Sequence, residues 1–86
     1  MRPRLSRHAI DEARHRGIPP ELLEEILDSP EQLVQLNAVT SVYQSRVTDN
    51  AGRTYLNRAT VSTEIAPGVV VTVYRTSKID KYWRPQ

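Results

Sequence analysis

The sequence contains no cysteine and no phenylalanine, and only three of its 86 residues are glycine. Without cysteine, disulfides and thiol chemistry are excluded, and His8 and His15 are the only imidazoles available to a zinc ion. The glycines are not clustered, so there is no glycine-rich phosphate loop. These absences argue against a disulfide scaffold, a structural zinc site and a nucleotide-binding enzyme. We therefore expect no metal and no cofactor.

The length and the hydropathy of the chain predict one domain over residues 1–86. A chain of this size can bury one modest core. Its hydrophobic content of 38% and charged content of 26% lie in the range of globular proteins. No long apolar run is present, and the basic start is not followed by the apolar core of a signal peptide. We expect a cytoplasmic protein that does not contact membranes.

The net charge of +2 conceals an uneven distribution of charge along the chain. Residues 1–16 carry five arginines, whereas residues 17–36 carry five acidic residues and no lysine or arginine. Residues 37–86 carry seven basic residues and three acidic ones. If the basic segments meet in the fold, they form a surface that attracts nucleic acid. The alternative is an ordinary solvated surface.

Two helices are predicted in the first third of the chain. Ser6 is a good N-cap for a helix from Arg7 to about Arg16, which Gly17 ends by taking the left-handed conformation. Pro20 is suited to the first position of a second helix, which runs to about Asp28. The apolar positions repeat at helical spacing in both helices. They are Leu5, Ala9, Ile10 and Ala13 in the first helix, and Leu22, Leu23, Ile26 and Leu27 in the second.

After Pro30 the pattern becomes typical of β-strands. Four strands are predicted, at residues 32–36, 41–47, 53–61 and 69–74, with turns between them. The predicted fold is α+β, in which two N-terminal helices pack on one face of a curved, four-stranded antiparallel sheet. A short helix or tail follows the last strand. Val69, Val71 and Val73 are predicted to point into the core.

Alternation along these strands predicts a polar face opposite the core. Its members are Gln44, Arg46, Leu56, Arg58, Thr60, Thr72 and Tyr74. RNA cleavage without a metal requires an acid and a base for proton transfer, and cations that stabilise the charged transition state. His8 is the natural acid or base because imidazole titrates near neutral pH. Arg46, Arg58 or Lys78 would hold the phosphate.

The same residues also have structural interpretations. His8 sits at the border of a helix, where a histidine is commonly structural, and Thr72 suits a strand whatever its function. Tyr82 can orient an oxygen atom or stack on a base, but together with Trp83 it can also form a hydrophobic lid. Lys78 and Lys81 can lie on the solvated face of a short terminal helix.

Two segments of the chain resemble a known bacterial family. LSRHAIDEARHRGIPPELLEEIL resembles the His-Ala-x(3)-Ala-x(2)-Arg-Gly-Ile pattern and acidic helix of the domain-of-unknown-function 4258 family, and VVVTVYRTSKIDKYW resembles the closing strand of that family. The family is similar in layout to RelE-like toxins and to the barnase, EndoU, colicin and RelE ribonucleases. RelE toxins themselves use Arg, Lys and Tyr and generally lack this His.

The resemblance implies a small RNA-cleaving or RNA-binding toxin-like domain with a cognate inhibitor or antitoxin. It places His8 on the His-Ala motif, Arg16 before Gly-Ile, and Thr72 and Tyr74 on the closing strand. Arg46 and Arg58 match no motif of the family and depend on strand alternation alone. The match extends over essentially the whole chain.

The leading functional hypothesis is a metal-independent endoribonuclease of the toxin–antitoxin type, which acts on RNA that is free or on the ribosome. The predicted catalytic residues are His8, Arg58, Thr72 and Tyr74. The predicted RNA-binding residues are Arg16, Arg46, Lys78, Lys81 and Tyr82. One alternative is a module that binds RNA or a protein without cleavage. Another is an interaction domain in which Glu24 and Glu25 of the acidic helix bind a basic partner.

Overall fold

The computed structural model describes residues 2–85, which form one five-stranded mixed sheet and three helices. In chain order the elements are β1 (Arg4–Leu5), α1 (Arg7–His15), α2 (Pro20–Asp28), β2 (Gln32–Asn37), β3 (Thr40–Thr48), β4 (Thr54–Ser62), β5 (Val69–Thr76) and α3 (Ile79–Tyr82). The strand order across the sheet is β1-β5-β4-β3-β2. The predicted α+β class is confirmed, and the predicted helices and strands match those observed to within two residues at each end.

The prediction of a purely antiparallel, four-stranded sheet was wrong because it omitted β1. This strand runs parallel to β5, while β2, β3, β4 and β5 pair antiparallel in succession. Arg4 N donates to Gly68 O at 3.0 Å, and Ser6 N donates to Val70 O at 3.2 Å. A strand of two residues is too short to show an alternating pattern, so only the tertiary pairing reveals it.

Both ends of α1 form as the sequence predicts. Ser6 is the N-cap, and its Oγ accepts a hydrogen bond from Ala9 N at 3.0 Å. Gly17 takes a φ of +70°, and Ile18 N donates to Ala13 O at 2.9 Å, which is the Schellman pattern of a helix C-terminus. This turn buries Ile18 in the core and leaves Arg16 at the end of the helix, next to β5.

Replacing Ser6 with alanine is expected to lower the free energy of unfolding by about 1 kcal/mol, because the Ala9 amide loses its capping acceptor. Chemical denaturation followed by circular dichroism measures this difference. Ser77→Ala is the matched control, since Ser77 is exposed outside the helices and strands. An equal loss of stability in both variants would contradict a specific capping role for Ser6.

The core lies between the two N-terminal helices and one face of the sheet. Its buried members are Ala9, Ala13, Ile18, Leu23, Leu27, Ala59, Val61, Val70 and Val73. Tyr43, Ala59 and Val73 are register partners on adjacent strands, so they belong to the same, helix-covered face. Ile10 was predicted to join this core but is 42% exposed, because it lies at the outer border of the apolar stripe of α1.

A β-bulge in β5 changes which valines are buried. Thr60 pairs with Thr72, but Val61 pairs with Val70, so Val71 is the extra residue. Val70 and Val73 are buried in the core, whereas Val71 is 37% exposed. The predictions that Val69 and Val71 point into the core were therefore wrong, since simple alternation does not anticipate the bulge, and Val69 pairs with Ser62 on the opposite face. Thr72 and Tyr74 beyond the bulge stay on the face opposite the helices.

Within residues 2–85, none of the helices has the length and apolar character needed to span a bilayer.

Candidate functional site: a cationic and aromatic cluster on the open face of the sheet

The sheet face opposite α1 and α2, here called the open face, carries a row of polar side chains. Gln44 of β3 pairs in register with Arg58 of β4, and Arg58 pairs with Tyr74 of β5. Residues directly opposite one another on adjacent strands point to the same side of a sheet. The predicted alternation therefore brings an amide, a guanidinium and a phenol together on neighbouring strands.

Residues 79–85, here called the C-terminal segment, fold back onto the open face. Gln32 holds them there, because its Nε2 donates to Arg84 O at 2.6 Å and its Oε1 accepts from Arg84 N at 3.1 Å. Gln44 Nε2 donates to Gln32 Oε1 at 2.8 Å and to Tyr82 O at 3.3 Å. Two buried amide side chains thus fix the position of Tyr82 and of its neighbours above the sheet.

Arg58 is a half-buried cation within this cluster. Its Nε donates to Gln44 Oε1 at 2.9 Å, and its guanidinium carbon lies 4.1 Å from the centre of the Tyr82 ring. Burial lowers the pKa of Arg58, but an arginine remains charged near neutral pH. No ion pair with a carboxylate is found for it within residues 2–85. A partly desolvated cation without a carboxylate partner is suited to binding an anion.

Tyr74 lies next to Arg58 and contacts Arg16 and Tyr82. Its ring and the Tyr82 ring are edge-to-face, with centres 6.0 Å apart, and the guanidinium carbon of Arg16 lies 5.5 Å from the Tyr74 ring centre. The hydroxyls of Tyr82 and Thr76, and then the charges of Lys81 and Arg16, hold the pKa of Tyr74 below its ordinary value. Tyr74 is therefore a stronger acid than a free tyrosine.

Lys81 and Thr72 are two further predicted site residues near these side chains. Lys81 Nζ lies 5.4 Å from the Tyr82 ring centre. Thr72 is half-buried, pairs with Thr60 and lies two residues before Tyr74, so it occupies the same face. We call Arg16, Arg58, Tyr74, Lys81 and Tyr82 the Arg58 cluster. All five belong to the set of site residues predicted from the sequence.

Two other predicted cations, Arg46 and Lys78, lie outside the Arg58 cluster. Arg46 stacks on Trp83 at 4.1 Å and forms an ion pair with Glu31, in which Arg46 Nη2 lies 3.0 Å from Glu31 Oε2. Hydrogen bonds from the Arg46 side chain and backbone hold the pKa of Glu31 below its ordinary value. Arg46 is thus partly neutralised within the protein. Lys78 is exposed just before α3, and its amide donates to Thr76 Oγ1 at 3.0 Å.

His8 is a further predicted site residue outside the Arg58 cluster, and it is the one that was predicted to transfer protons. Its side chain is 67% exposed, and its Nε2 lies 3.4 Å from Glu12 Oε1. Glu12 Oε2 in turn lies 3.6 Å from Arg16 Nη2, so Glu12 links the two basic side chains along α1. Within residues 2–85, no hydrogen bond or ion pair joins His8 to Arg58 or Thr72. Its role in proton transfer stays a prediction.

Gln32 and Gln44 are functional candidates that were not assigned to the site from the sequence. Alternation does place Gln44 on the same face as Arg46, but a glutamine in a strand gives no sign of being buried. Its burial results from the return of the C-terminal segment, which lies 38 residues along the chain at Tyr82. A buried amide that accepts from Arg58 Nε orients the guanidinium, so Gln44 is a positioning residue.

Replacing Gln44 with leucine is expected to lower the free energy of unfolding by about 2 kcal/mol, because it leaves buried polar partners unsatisfied. The same change should weaken anion binding at Arg58, whose Nε loses its acceptor. Denaturant titration and binding of a labelled single-stranded RNA measure the two effects. Gln35→Leu is the control on an exposed position of β2 and is expected to change stability by less than about 0.5 kcal/mol.

No group of three or more metal-ligating side chains is found among the described residues. Comparison of the chain with protein-family models, with curated proteins and with solved structures gives no match in any of the three. The resemblance to the domain-of-unknown-function 4258 family therefore remains a hypothesis that rests on the two quoted segments.

Proposed function

We propose that the protein is a metal-independent endoribonuclease that acts on single-stranded RNA at the open face. The observation that carries this proposal is Arg58, a half-buried guanidinium that is stacked on Tyr82 and has no carboxylate partner in the described part of the chain. Arginine offers the bidentate geometry that phosphate prefers. An RNA phosphate would supply the negative charge that Arg58 lacks within residues 2–85, whereas Arg16 is also paired with Glu12.

The other members of the Arg58 cluster suit a single-stranded nucleic acid. Arg16 and Lys81 bring two more cations next to Tyr74 and Tyr82. Unstacked bases of single-stranded RNA pack on aromatic rings or on the planes of guanidinium groups, and both are present on this face. Arg46 on Trp83 extends the surface towards β2, where a neighbouring nucleotide would lie.

The proposed reaction is attack of a ribose 2′ oxygen on the adjacent phosphorus. Tyr74, as the phenolate, takes the 2′ proton while the new P–O bond forms. Arg58 and Arg16 stabilise the additional charge on the phosphate oxygens. The bond to the 5′ oxygen then breaks, and this oxygen takes a proton from the Lys81 ammonium. The products are a 2′,3′-cyclic phosphate and a 5′ hydroxyl. The lowered pKa of Tyr74 supports its choice as the base, because more phenolate is present at a given pH.

A second candidate function is binding of RNA without cleavage. The position of His8 favours it, since the only imidazole predicted to transfer protons makes its contact with Glu12 and not with the Arg58 cluster. In this case the same cations and rings bind the RNA backbone, and binding weakens steeply as salt is added. The Thr72 hydroxyl would then contribute a hydrogen bond and not chemistry.

The proposed activity also suggests a protein partner. A ribonuclease whose site lies on an open sheet face is controlled most simply by an inhibitor that covers that face. The cations of the Arg58 cluster favour an acidic inhibitor, in keeping with the toxin–antitoxin resemblance. The toxin–antitoxin hypothesis also includes RNA on the ribosome as a substrate.

Incubation of the purified protein with a labelled single-stranded RNA, with and without a chelator and with and without ribosomes, tests the function. We expect cleavage that the chelator does not abolish and products that carry a cyclic phosphate by mass spectrometry. DNA of the same sequence is the control, because it binds the same cations but has no 2′ hydroxyl. Intact RNA under all these conditions would contradict the nuclease. Salt-dependent binding of that intact RNA would support the second candidate.

A further inference from the structure

We infer that β2 is an interface through which two copies of this chain pair, edge to edge and antiparallel. β2 is the last strand in the sheet order, so its outer backbone groups have no strand partner within residues 2–85. Unpaired amide and carbonyl groups along an edge strand are a template for another strand. This inference is independent of the proposed function, because it uses neither the Arg58 cluster nor RNA.

The edge lacks the usual protection against such pairing. Residues 32–45 contain no charged residue and no proline, although 26% of the chain is charged. Edge strands of monomeric proteins commonly carry lysine, proline or an inward-pointing charge that prevents association. A β-bulge between Gln35 and Asn37 affects the end of β2, and the pairing of residues 32–35 with β3 is regular. The regular part of β2 is therefore free of charged side chains, and its outer backbone groups have no strand partner in the described chain, while Arg84 and Pro85 lie beside it on the open face.

Exposed aliphatic side chains cluster on the same strand and on the turn after it. Leu33 is 56% exposed, and Leu36 and Val39 are also exposed. Leu33 pairs in register with Tyr43, which packs against the core, so Leu33 lies on the helix-covered side of the edge. Its surroundings include Leu27, Pro30 and Tyr43, and the ion pair of Arg2 with Asp28 lies at the border of this apolar group. A strand added beside β2 would cover Leu33 and continue this apolar layer.

A second copy of the chain fits this edge better than a charged partner does. Residues 32–35 of the second copy are equally uncharged, so antiparallel pairing of these residues places no like charges directly opposite one another. Antiparallel pairing of identical strands has a two-fold axis perpendicular to the sheet, which gives a closed dimer and not a fibre. Leu33 of each copy then lies near the axis, on the helix-covered side of the joined sheet.

The same symmetry has a consequence for the open faces. A two-fold axis perpendicular to the sheet keeps each face of the sheet on its own side. The open faces of both copies therefore lie on the same side of the joined sheet. The Gln32 and Arg84 contacts lie on the open face next to the paired edges, and Arg46 with Trp83 lies one strand further in. The dimer would thus present one continuous ten-stranded sheet with two cationic clusters on one side.

Sedimentation of the full chain over a wide range of concentration tests the inference. We expect the wild type to dimerise reversibly and Leu33→Lys to raise the dimer dissociation constant at least about 100-fold, since the new charge enters the interface twice. Ile65→Lys is the matched control, because Ile65 is 74% exposed in the connection between β4 and β5, away from the edge. This control is expected to dimerise like the wild type.

Gln35→Lys is a second variant that introduces a charge without removing an apolar side chain, so it leaves the core unchanged. It is also expected to produce a monomer with the circular dichroism spectrum of the wild type. A wild type that stays monomeric at the highest concentration would overturn the inference. So would a dimer that persists in both Leu33→Lys and Gln35→Lys, or one that only Ile65→Lys disrupts.

Discussion

Replacing Arg58 with alanine is expected to lower the rate of RNA cleavage by about 10²- to 10³-fold, the usual effect of removing one group that stabilises transition-state charge. Arg58 is half-buried, and Gln44 and Tyr82 orient its guanidinium. Single-turnover rates at saturating protein separate this effect from weaker binding. RNA affinity should fall as well, because a phosphate contact is lost.

Two variants make the Arg58 experiment specific. Arg58→Lys keeps the charge but loses the bidentate geometry and the planar stacking on Tyr82, so its rate should recover only in part. Arg53→Ala removes the same charge from an exposed position at the turn before β4 and should leave the rate unchanged. Equal losses in Arg58→Ala and Arg53→Ala would show that only net charge matters, which contradicts a phosphate site at Arg58.

Replacing Tyr74 with phenylalanine is expected to lower the cleavage rate by at least about 10²-fold while RNA affinity changes little. The ring that contacts Arg16 and Tyr82 is kept, and only the hydroxyl that accepts the proton is removed. Tyr55→Phe is the matched control, because Tyr55 also has a guanidinium near its ring, that of Arg75 at 5.2 Å, but precedes Leu56 on the other side of β4. Unchanged cleavage by Tyr74→Phe would exclude Tyr74 as the base.

The pH dependence of cleavage follows from the lowered pKa of Tyr74. A base acts in its deprotonated form, so the rate should rise as pH increases through the pKa of Tyr74. Since the Tyr82 hydroxyl is the largest cause of the lowered pKa, Tyr82→Phe should raise that pKa and move the profile to higher pH. A profile that instead follows an imidazole and disappears in His8→Ala would assign the base to His8.

The secondary structure could be predicted because its signals are local. Ser6, Gly17 and Pro20 mark the ends of the helices, and their effects depend on backbone geometry within a few residues. Alternation within β3, β4 and β5 predicts that Gln44, Arg58 and Tyr74 share one face of the sheet. The β1 strand and the bulge at Val71 could not be predicted, because both depend on how β5 pairs with distant segments.

The residues of the candidate site could be predicted from the sequence, but the contacts between their side chains could not. Arg16, Arg58, Tyr74, Lys81 and Tyr82 carry chemistry that their residue types indicate, and the structure brings these five together. The pairing of Arg46 with Glu31 and the placement of His8 beside Glu12 are tertiary outcomes. Long side chains reach several neighbours, and which neighbour they meet depends on packing.

By itself, the sequence determined the α+β class, the two N-terminal helices, the exclusion of thiol chemistry and the concentration of cations and aromatic rings near the C-terminus. These properties depend on composition and on short-range periodicity. Only the tertiary structure decided that the C-terminal segment folds back over the open face, that Gln32 and Gln44 hold it there, and that Arg58 lies there without a carboxylate partner in the described chain. The physical reason is that contacts between residues far apart in the chain form only when packing brings their elements together, and no local pattern encodes that arrangement.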